Sequence, residues 1–276
     1  MDSNTLYYSL DLVSGSGLVL SVEQKAALQT SLVILKGNYR FERVLFWGKI
    51  LGIKNDYFIA QGVTQDRMRG KKTLYSLNCM DWHLLPPATD TMITEISVVK
   101  GRFMGDPSYE YEHIETKKLG EGDEAVEEEI TVKVKEEKRL AATISIIDKE
   151  VSVVPRGAFI KTPHGHVTSN RSFEGLSVTE AGKISNYFHF SEPVNLKKKS
   201  LLEKADLDPS IDFLDSIEED IPKGSWSLQF EKGNSVVVLR NLLWLGLTFY
   251  HVPMTPQHGY IYMGTGLKNM DLPFML

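Results

Sequence analysis

The sequence predicts an α+β fold: antiparallel β-sheet hairpins packed with several helices. Three observations predict it. Apolar residues recur at helical spacing near the N-terminus and again beyond residue 128. Runs rich in β-branched and aromatic residues, broken by short turn segments, fill 41–78 and 224–263. Strands and helices occupy separate blocks, whereas a doubly wound parallel sheet would need them to alternate. With 276 residues, 42% of them hydrophobic, the chain is long enough for one large core. We read it as one α+β domain over 1–276, with 191–223 as a candidate internal linker before a C-terminal β segment, 224–276.

In order, Leu6, Leu10 and Val13 suggest a short first helix ending near Gly15. Ser21 is placed to cap a second helix from Val22 to Leu35, and Gln24, three residues on, completes a capping box. Val22, Ala26, Leu28, Leu32, Val33 and Leu35 mark its apolar face, and Gly37 supplies a stop. VLFWGKILGI and YFIAQGV, separated by Lys54-Asn55-Asp56, predict a hairpin of two buried strands, and TLYSLN predicts a third. Thr89 to Val98 suggests a short helix after Pro86-Pro87. Gly120 and Gly122 open an acidic loop through Glu129. Beyond it a helix is favoured over 128–150, because Glu and Lys without turn residues are good helix formers. Its solvated face would carry Lys133, Lys135, Glu136, Glu137 and Lys138. The alternation of Ile130, Val132 and Val134 leaves a strand open for the front end.

VSVVPRGAFIKT predicts a strand kinked at Pro155-Arg156-Gly157. Ser177 with Glu180 repeats the capping pattern for a helix to about Tyr187. The segment 191–223 is polar and holds Pro193, Pro209 and Pro222, yet Leu201, Leu202, Leu207, Ile211, Phe213, Leu214 and Ile217 require it to pack on something. From Gly224 the pattern is β again, with Trp226, Leu228 and Phe230 alternating ahead of VVVLRNLLW, LTFYHV and a last strand over Gly259–Met263.

Charge and chemistry exclude several functions. Thirty-one Lys+Arg against 36 Asp+Glu give a net charge of −5, opposite in sign to what nucleic acid or an anionic membrane attracts. The single cysteine, Cys79, excludes an intramolecular disulfide framework and reads as a small core residue. The start has no basic, then apolar, signal-like pattern, and Arg240, Asn241, Gly246 and His251 interrupt the longest apolar stretch. A reducing cytosolic setting is therefore expected.

His164-Gly165-His166 has chelating spacing but no neighbouring Cys, Asp or Glu to complete a metal site. The stretch 206–212 imitates a calcium loop, with Ile211 where glycine is needed. His83, His113, His189, His251 and His258 stand singly beside aromatics and read as structural. Gly264-Thr265-Gly266 opens no helix, so phosphate cradling is a weak reading. A small-molecule or enzymatic site would have to assemble Gly264, Gly266, His251 and His258 around one cleft. No catalytic, cofactor-binding or metal-binding residue is assigned, and no cofactor is expected.

Two features point to protein contacts instead. Tyr109 and Tyr111 alternate with Glu110 and Glu112, the wrong charge for stacking nucleic acid and suited to a partner-facing strand edge. The tail Met270-Asp271-Leu272-Pro273-Phe274-Met275-Leu276 carries five apolar side chains that are costly to leave in water. Candidate interface residues are therefore Tyr109, Tyr111, Leu272, Phe274, Met275 and Leu276. The strands around 41–63 and 226–252 are apolar at too many positions for one solvated face. A partner subunit is expected to cover part of that sheet.

Several runs taken together carry a family resemblance: RVLFWGKILGIKNDYFIAQG (43–62), KTLYSLN (72–78), GRFMGDPSYEYEH (101–113), VPRGAFIKTP (154–163), LLEKADLDPSIDFLDSIEEDIPKGSWSLQ (201–229), LRNLLWLGLTFYHVPMT (239–255) and GTGLKNMDLPFML (264–276). The chain closely resembles the radial spoke head protein nine family over its whole length. It departs where Leu245 stands between Trp244 and Gly246 in place of an expected proline, and in the acidic stretch 120–129. The resemblance implies a non-enzymatic subunit of the radial spoke head in the axoneme of motile cilia and flagella. It implies a fold related to the larger radial spoke head proteins four and six, and those proteins as partners, beside a MORN-repeat subunit and the central pair projections. A homo- or heterodimer is expected, with neither nucleic acid nor membrane as partner.

Overall fold

The computed structural model describes residues 1–276 except 14, 16, 18, 120–125 and 276, and for 114–119 and 126–132 it describes the backbone alone. The chain opens with helices α1 (Leu6–Leu12) and α2 (Val22–Tyr39), followed by a meander of β1 (Arg43–Ile50), β2 (Tyr57–Val63), β3 (Lys72–Ser76) and the two-residue β4 (His83–Leu84). Helix α3 (Asp90–Ile96), a ribbon of β5 (Glu110–Leu119) and β6 (Val126–Lys135), and helix α4 (Glu136–Val151) come next. Short strands β7 (Val153–Pro155), β8 (Phe159–Lys161), β9 (Val167–Ser169) and β10 (Tyr187–His189) alternate with one-turn helix α5 (Val178–Ala181), and α6 (Asn195–Lys198) follows. A second meander, β11 (Trp226–Glu231), β12 (Val236–Asn241), β13 (Leu247–His251) and β14 (His258–Gly264), completes the β structure.

The two meanders form one eight-stranded sheet in the order β11-β12-β13-β14-β1-β2-β3-β4. Neighbours within each meander are antiparallel, as tight turns require. The seam is parallel, with Gly48 opposite Tyr262, Lys49 opposite Met263 and Ile50 opposite Gly264. β1 also bulges between Phe46 and Gly48 against β2. Gly48 has φ +145°, and a Cβ there would lie 1.9 Å from the Tyr262 carbonyl oxygen. Only glycine lets the two backbones approach this closely.

The chain covers both faces of its own sheet. On one, α1 and α2 contribute Leu6, Leu10, Leu28, Leu32 and Leu35, which pack with Val44, Phe46, Phe58, Leu74, Val238 and Tyr250. On the other, Leu140, Ile144, Ile147 and Val151 of α4 pack with Trp47, Tyr57, Ile59, Phe249, Tyr262 and Tyr187. The apolar strands are thus satisfied within one chain, and the expectation that a partner covers a sheet face is corrected on that ground.

Local signals place several elements as expected. Ser21 Oγ accepts from Gln24 N (3.1 Å) while Ser21 N donates to Gln24 Oε1 (3.0 Å), closing the capping box. Other expectations are corrected. α2 continues through Gly37, and left-handed Arg40, with φ 54°, terminates it. Leu28, Leu32 and Leu35 form its buried stripe, whereas Val22 and Val33 point to solvent because the sheet lies on the other side. The capped segment at Ser177 ends at Ala181, and Tyr187 begins a strand.

The main correction concerns 126–150. Residues 126–135 are strand, and the helix begins only at Glu136. The register sets Glu112 opposite Lys133, which form an ion pair at 2.8 Å, and pairs Lys117 with Glu128 and Lys118 with Glu127 along the backbone. Glu127–Glu129 therefore belong to a strand, and the acidic loop before them lies mostly outside the described residues.

Within 191–223, Phe213 and Leu214 are buried in a cluster with Val154, Val167 and Phe190. Ile217 joins the α4-side core, and Arg156 holds Asp212 through two 2.7 Å bonds. Leu201 and Leu202 remain exposed. Among the described residues no helix is long and apolar enough to cross a membrane.

Candidate interaction surfaces

The first surface is the root of the β5–β6 ribbon, and a buried carboxylate builds it. Glu136, in the first turn of α4, is fully buried. It accepts hydrogen bonds from the backbone N–H groups of Met104 (2.7 Å), Gly105 (2.7 Å) and Asp106 (3.1 Å). Tyr57 OH (2.7 Å) and Tyr111 OH also donate to it. Five donors on one carboxylate compensate its removal from water. Arg139, one turn on, stacks its guanidinium over Phe103 (4.3 Å) and Tyr111 (4.8 Å), a cation–π arrangement suited to arginine.

Tyr111 therefore anchors the ribbon to the body. Burial and the bond to Glu136 push its hydroxyl up to about 12, so it stays protonated and donating. Tyr109 sits edge-on against Tyr111, with ring centroids 5.0 Å apart, and 37% of its surface is exposed. Of the two, Tyr109 is the one presented outward.

The second surface is the C-terminal tail. Asn269 N donates to the Leu243 carbonyl (2.7 Å), and Leu272 is buried in a single 3₁₀ turn over Leu272–Phe274. Met270, Phe274 and Met275 project, with Phe274 89% and Met275 72% exposed. Leu276 lies outside the described residues. The tail thus divides into one residue that holds it to the body and three apolar ones left in water. Among the described residues no hydrogen bond or ring contact joins the two tyrosines to the tail.

The residues of the rival small-molecule reading do not converge. His251 and His258 pair across β13 and β14, while Gly264 closes the opposite end of β14, about 20 Å along at a strand's rise per residue. Gly266 N donates to Tyr262 OH (2.9 Å), which fixes the turn there. His251 is fully buried; its Nε2 accepts from Leu176 N (3.2 Å) and its Nδ1 faces the Gln257 carbonyl (3.1 Å). That pattern sets the neutral tautomer, and burial pushes its pKa down to about 4. His189 Nε2 bonds Asp220 Oδ1 (2.8 Å), whose other oxygen accepts from Trp226 Nε1 (2.7 Å).

Cys79 is buried, and desolvation pushes its thiol up to about 12, far from a reactive thiolate. No group of three His, Cys, Asp or Glu side chains with metal-holding geometry occurs among the described residues.

Sequence reasoning missed Glu136, which it placed on a solvated face, and a second, half-buried hub, Asp148. Asp148 accepts from Trp47 Nε1 (2.6 Å), Gln61 Nε2 and Tyr260 OH (3.1 Å), tying α4 to β1, β2 and β14. The only signal was its helical spacing from the apolar stripe.

Residues 4–176 match the family model described as Radial spokehead-like protein. The chain is 67% identical over 277 residues to Radial spoke head protein 9 homolog of Danio rerio and 63% identical over 276 residues to that of Homo sapiens. A relative of the same name in Mus musculus is 60% identical over 276 residues. In each case all of both chains is covered.

Proposed function

Because the chain belongs to the radial spokehead-like family, we propose that it is a structural subunit that helps assemble the radial spoke head and passes mechanical signals between the central pair and the dynein arms. It is a radial spoke head component of the axoneme of motile cilia and flagella, and not an enzyme. Its partners in this reading are the larger radial spoke head proteins four and six, a MORN-repeat subunit and the central pair projections, with a homo- or heterodimer as the assembling unit. The whole chain serves as one α+β domain, presenting Tyr109 at the ribbon root and Phe274 and Met275 at the tail, with Tyr111 and Leu272 as the residues that anchor them.

The observation that carries the contact reading is the exposure of Phe274 and Met275 beside anchored Leu272. Large apolar side chains of this kind contribute roughly 1.5–3 kcal/mol each when an interface buries them. Replacing both by serine leaves Leu272 and the folded body untouched. The double variant is expected to melt like the parent while losing co-purification with the larger paralogue and failing to restore spoke heads in cells that lack the parent. Normal spoke heads and unchanged co-purification would remove the tail from the interface. A monomer by light scattering that never captures the paralogue would defeat the assembly reading itself.

A further inference from the structure

Where the tail leaves the body, a groove of about 570 Å³ opens between α4 and the segment that follows β10. Its apolar lining is Ile93, Ile146, Val194, Ile221 and Leu243. Ile221 is 86% exposed and Val194 52% exposed. The tail shares a wall with the groove. Lys268 lines it, and the next residue, Asn269, donates its N–H to the Leu243 carbonyl (2.7 Å).

The rest of the lining is polar, and its acids are all engaged. Glu150 accepts from Trp244 Nε1 (2.7 Å) and pairs with Lys268 (2.7 Å). Glu192 pairs with Arg69 (2.5 Å) and Lys197 (3.5 Å). Asp215 accepts from the backbone N–H groups of Val194, Asn195 and Leu196. Asp220 is bonded by His189 Nε2 (2.8 Å) and Trp226 Nε1 (2.7 Å). Lys149 is different: it lines the groove, is exposed, and has neither ion pair nor hydrogen bond with a described residue. The occupant that suits such a groove brings apolar side chains and one carboxylate.

The tail has that composition. Phe274 and Met275 are exposed apolar side chains. Asp271 is exposed, and its carboxylate has no partner among the described residues. In its own chain the tail does not fill the groove. Buried Leu272 and the turn bonds from Phe274 N to Asp271 O (3.0 Å) and Met275 N to Leu272 O (2.9 Å) hold it outside.

We propose that two copies of this chain exchange tails, each seating Phe274 and Met275 over Ile146, Ile221 and Leu243 of the other, with Asp271 paired to the second copy's Lys149. Tail and groove adjoin, so one two-fold axis makes both contacts at once and closes the dimer. The inference rests on the tail being a contact surface, and it makes the homodimer the assembling unit.

Sedimentation velocity of the full-length chain over a range of concentrations reads the exchange, and a reversible dimer is expected. Lys149→Glu and Asp271→Lys each set like charges together at both contacts. Each should weaken the dimer at least about tenfold. Both residues are exposed, so circular dichroism should show the parent fold. Combining the two substitutions reverses the pair and should restore the dimer. A monomeric parent, single variants that dimerise like the parent, or a combined variant that stays weak would overturn the exchange. The paralogue measurement separates the two readings. If the parent is monomeric and the tail serine variant still loses the larger paralogue, the exchange is wrong and the tail remains a contact surface.

Discussion

Gly48→Ala tests whether the parallel seam makes one body of the two meanders. The added Cβ would stand 1.9 Å from Tyr262 O and 2.8 Å from Tyr262 C and N. Ordinary contact begins at 3.4 Å, so the strands must part by about 1.5 Å (3.4 − 1.9) or the bulge must rearrange. Neither is cheap, because three consecutive residue pairs and the bond from Leu51 N to Gly264 O (2.9 Å) join β1 to β14. Overpacking a fixed site costs about 1–3 kcal/mol, and a side chain at positive φ a similar amount. The sum, about 2–6 kcal/mol, corresponds to a Tm lowered by roughly 4–24 °C in a chain of this size. Thermal and urea unfolding followed by circular dichroism would read it. Gly37→Ala is the control: it lies inside α2 with nothing within 4 Å of its Cβ position, so a gain of up to about 1 kcal/mol is expected. A Gly48→Ala protein within about 1 kcal/mol of the parent would refute the seam argument.

Other outcomes follow from the buried groups. Glu136→Gln keeps the shape but turns an amide toward N–H and O–H donors, so a loss of about 3 kcal/mol is expected in urea unfolding, and ribbon amides should lose hydrogen-exchange protection first. His251 has a folded pKa near 4 against 6.5 for the free group. The unfolded chain therefore binds the extra proton, and stability is full above about pH 6.5 and falls as the pH drops toward 4. That one group contributes about 3 kcal/mol across the window, and His251→Gln should flatten the slope seen in unfolding at stepped pH. Cys79 should react with a thiol reagent only as fast as the chain unfolds, which stopped labelling at neutral pH would show; rapid labelling of folded protein would contradict its burial. A single α+β domain should melt in one transition, with near-UV and far-UV signals coincident.

What was legible in the sequence was local. The β1–β2 hairpin follows from two apolar runs around Lys54-Asn55-Asp56, and the start of α2 from Ser21 and Gln24, because the deciding residues are neighbours along the chain. The seam was not legible. Gly48 and Tyr262 are 214 positions apart (262 − 48), and nothing near Gly48 announces a parallel partner. The stretch 126–135 shows the opposite failure. Its Glu and Lys favour a helix intrinsically, but the register with 110–119 sets residues of opposite charge against each other at four of its ten pairs. Tertiary pairing overrides propensity where propensities differ by only a few tenths of a kcal/mol per residue.

The candidate surfaces divide for the same reason. Exposure of the tail was partly readable, since a run of apolar residues at Met270–Met275 cannot all find a place on a body whose sheet faces α1, α2 and α4 already cover. The role of Tyr111 was not, because a Tyr-Glu-Tyr-Glu alternation is identical on paper whether its aromatics face a partner or the chain's own interior. The choice is made by Glu136, which must satisfy the Met104, Gly105 and Asp106 N–H groups and so draws the Tyr111 hydroxyl inward. A charged residue in a polar run reads as solvated until the backbone that needs it is located. The same rule fixes the ribbon at its root, through the buried carboxylate of Glu136, the stacked Arg139 and the packing of Val134 with Ile96 and Ala142. The ribbon and the sheet are thereby held by one helix, because Asp148, further along α4, is bonded to β1, β2 and β14.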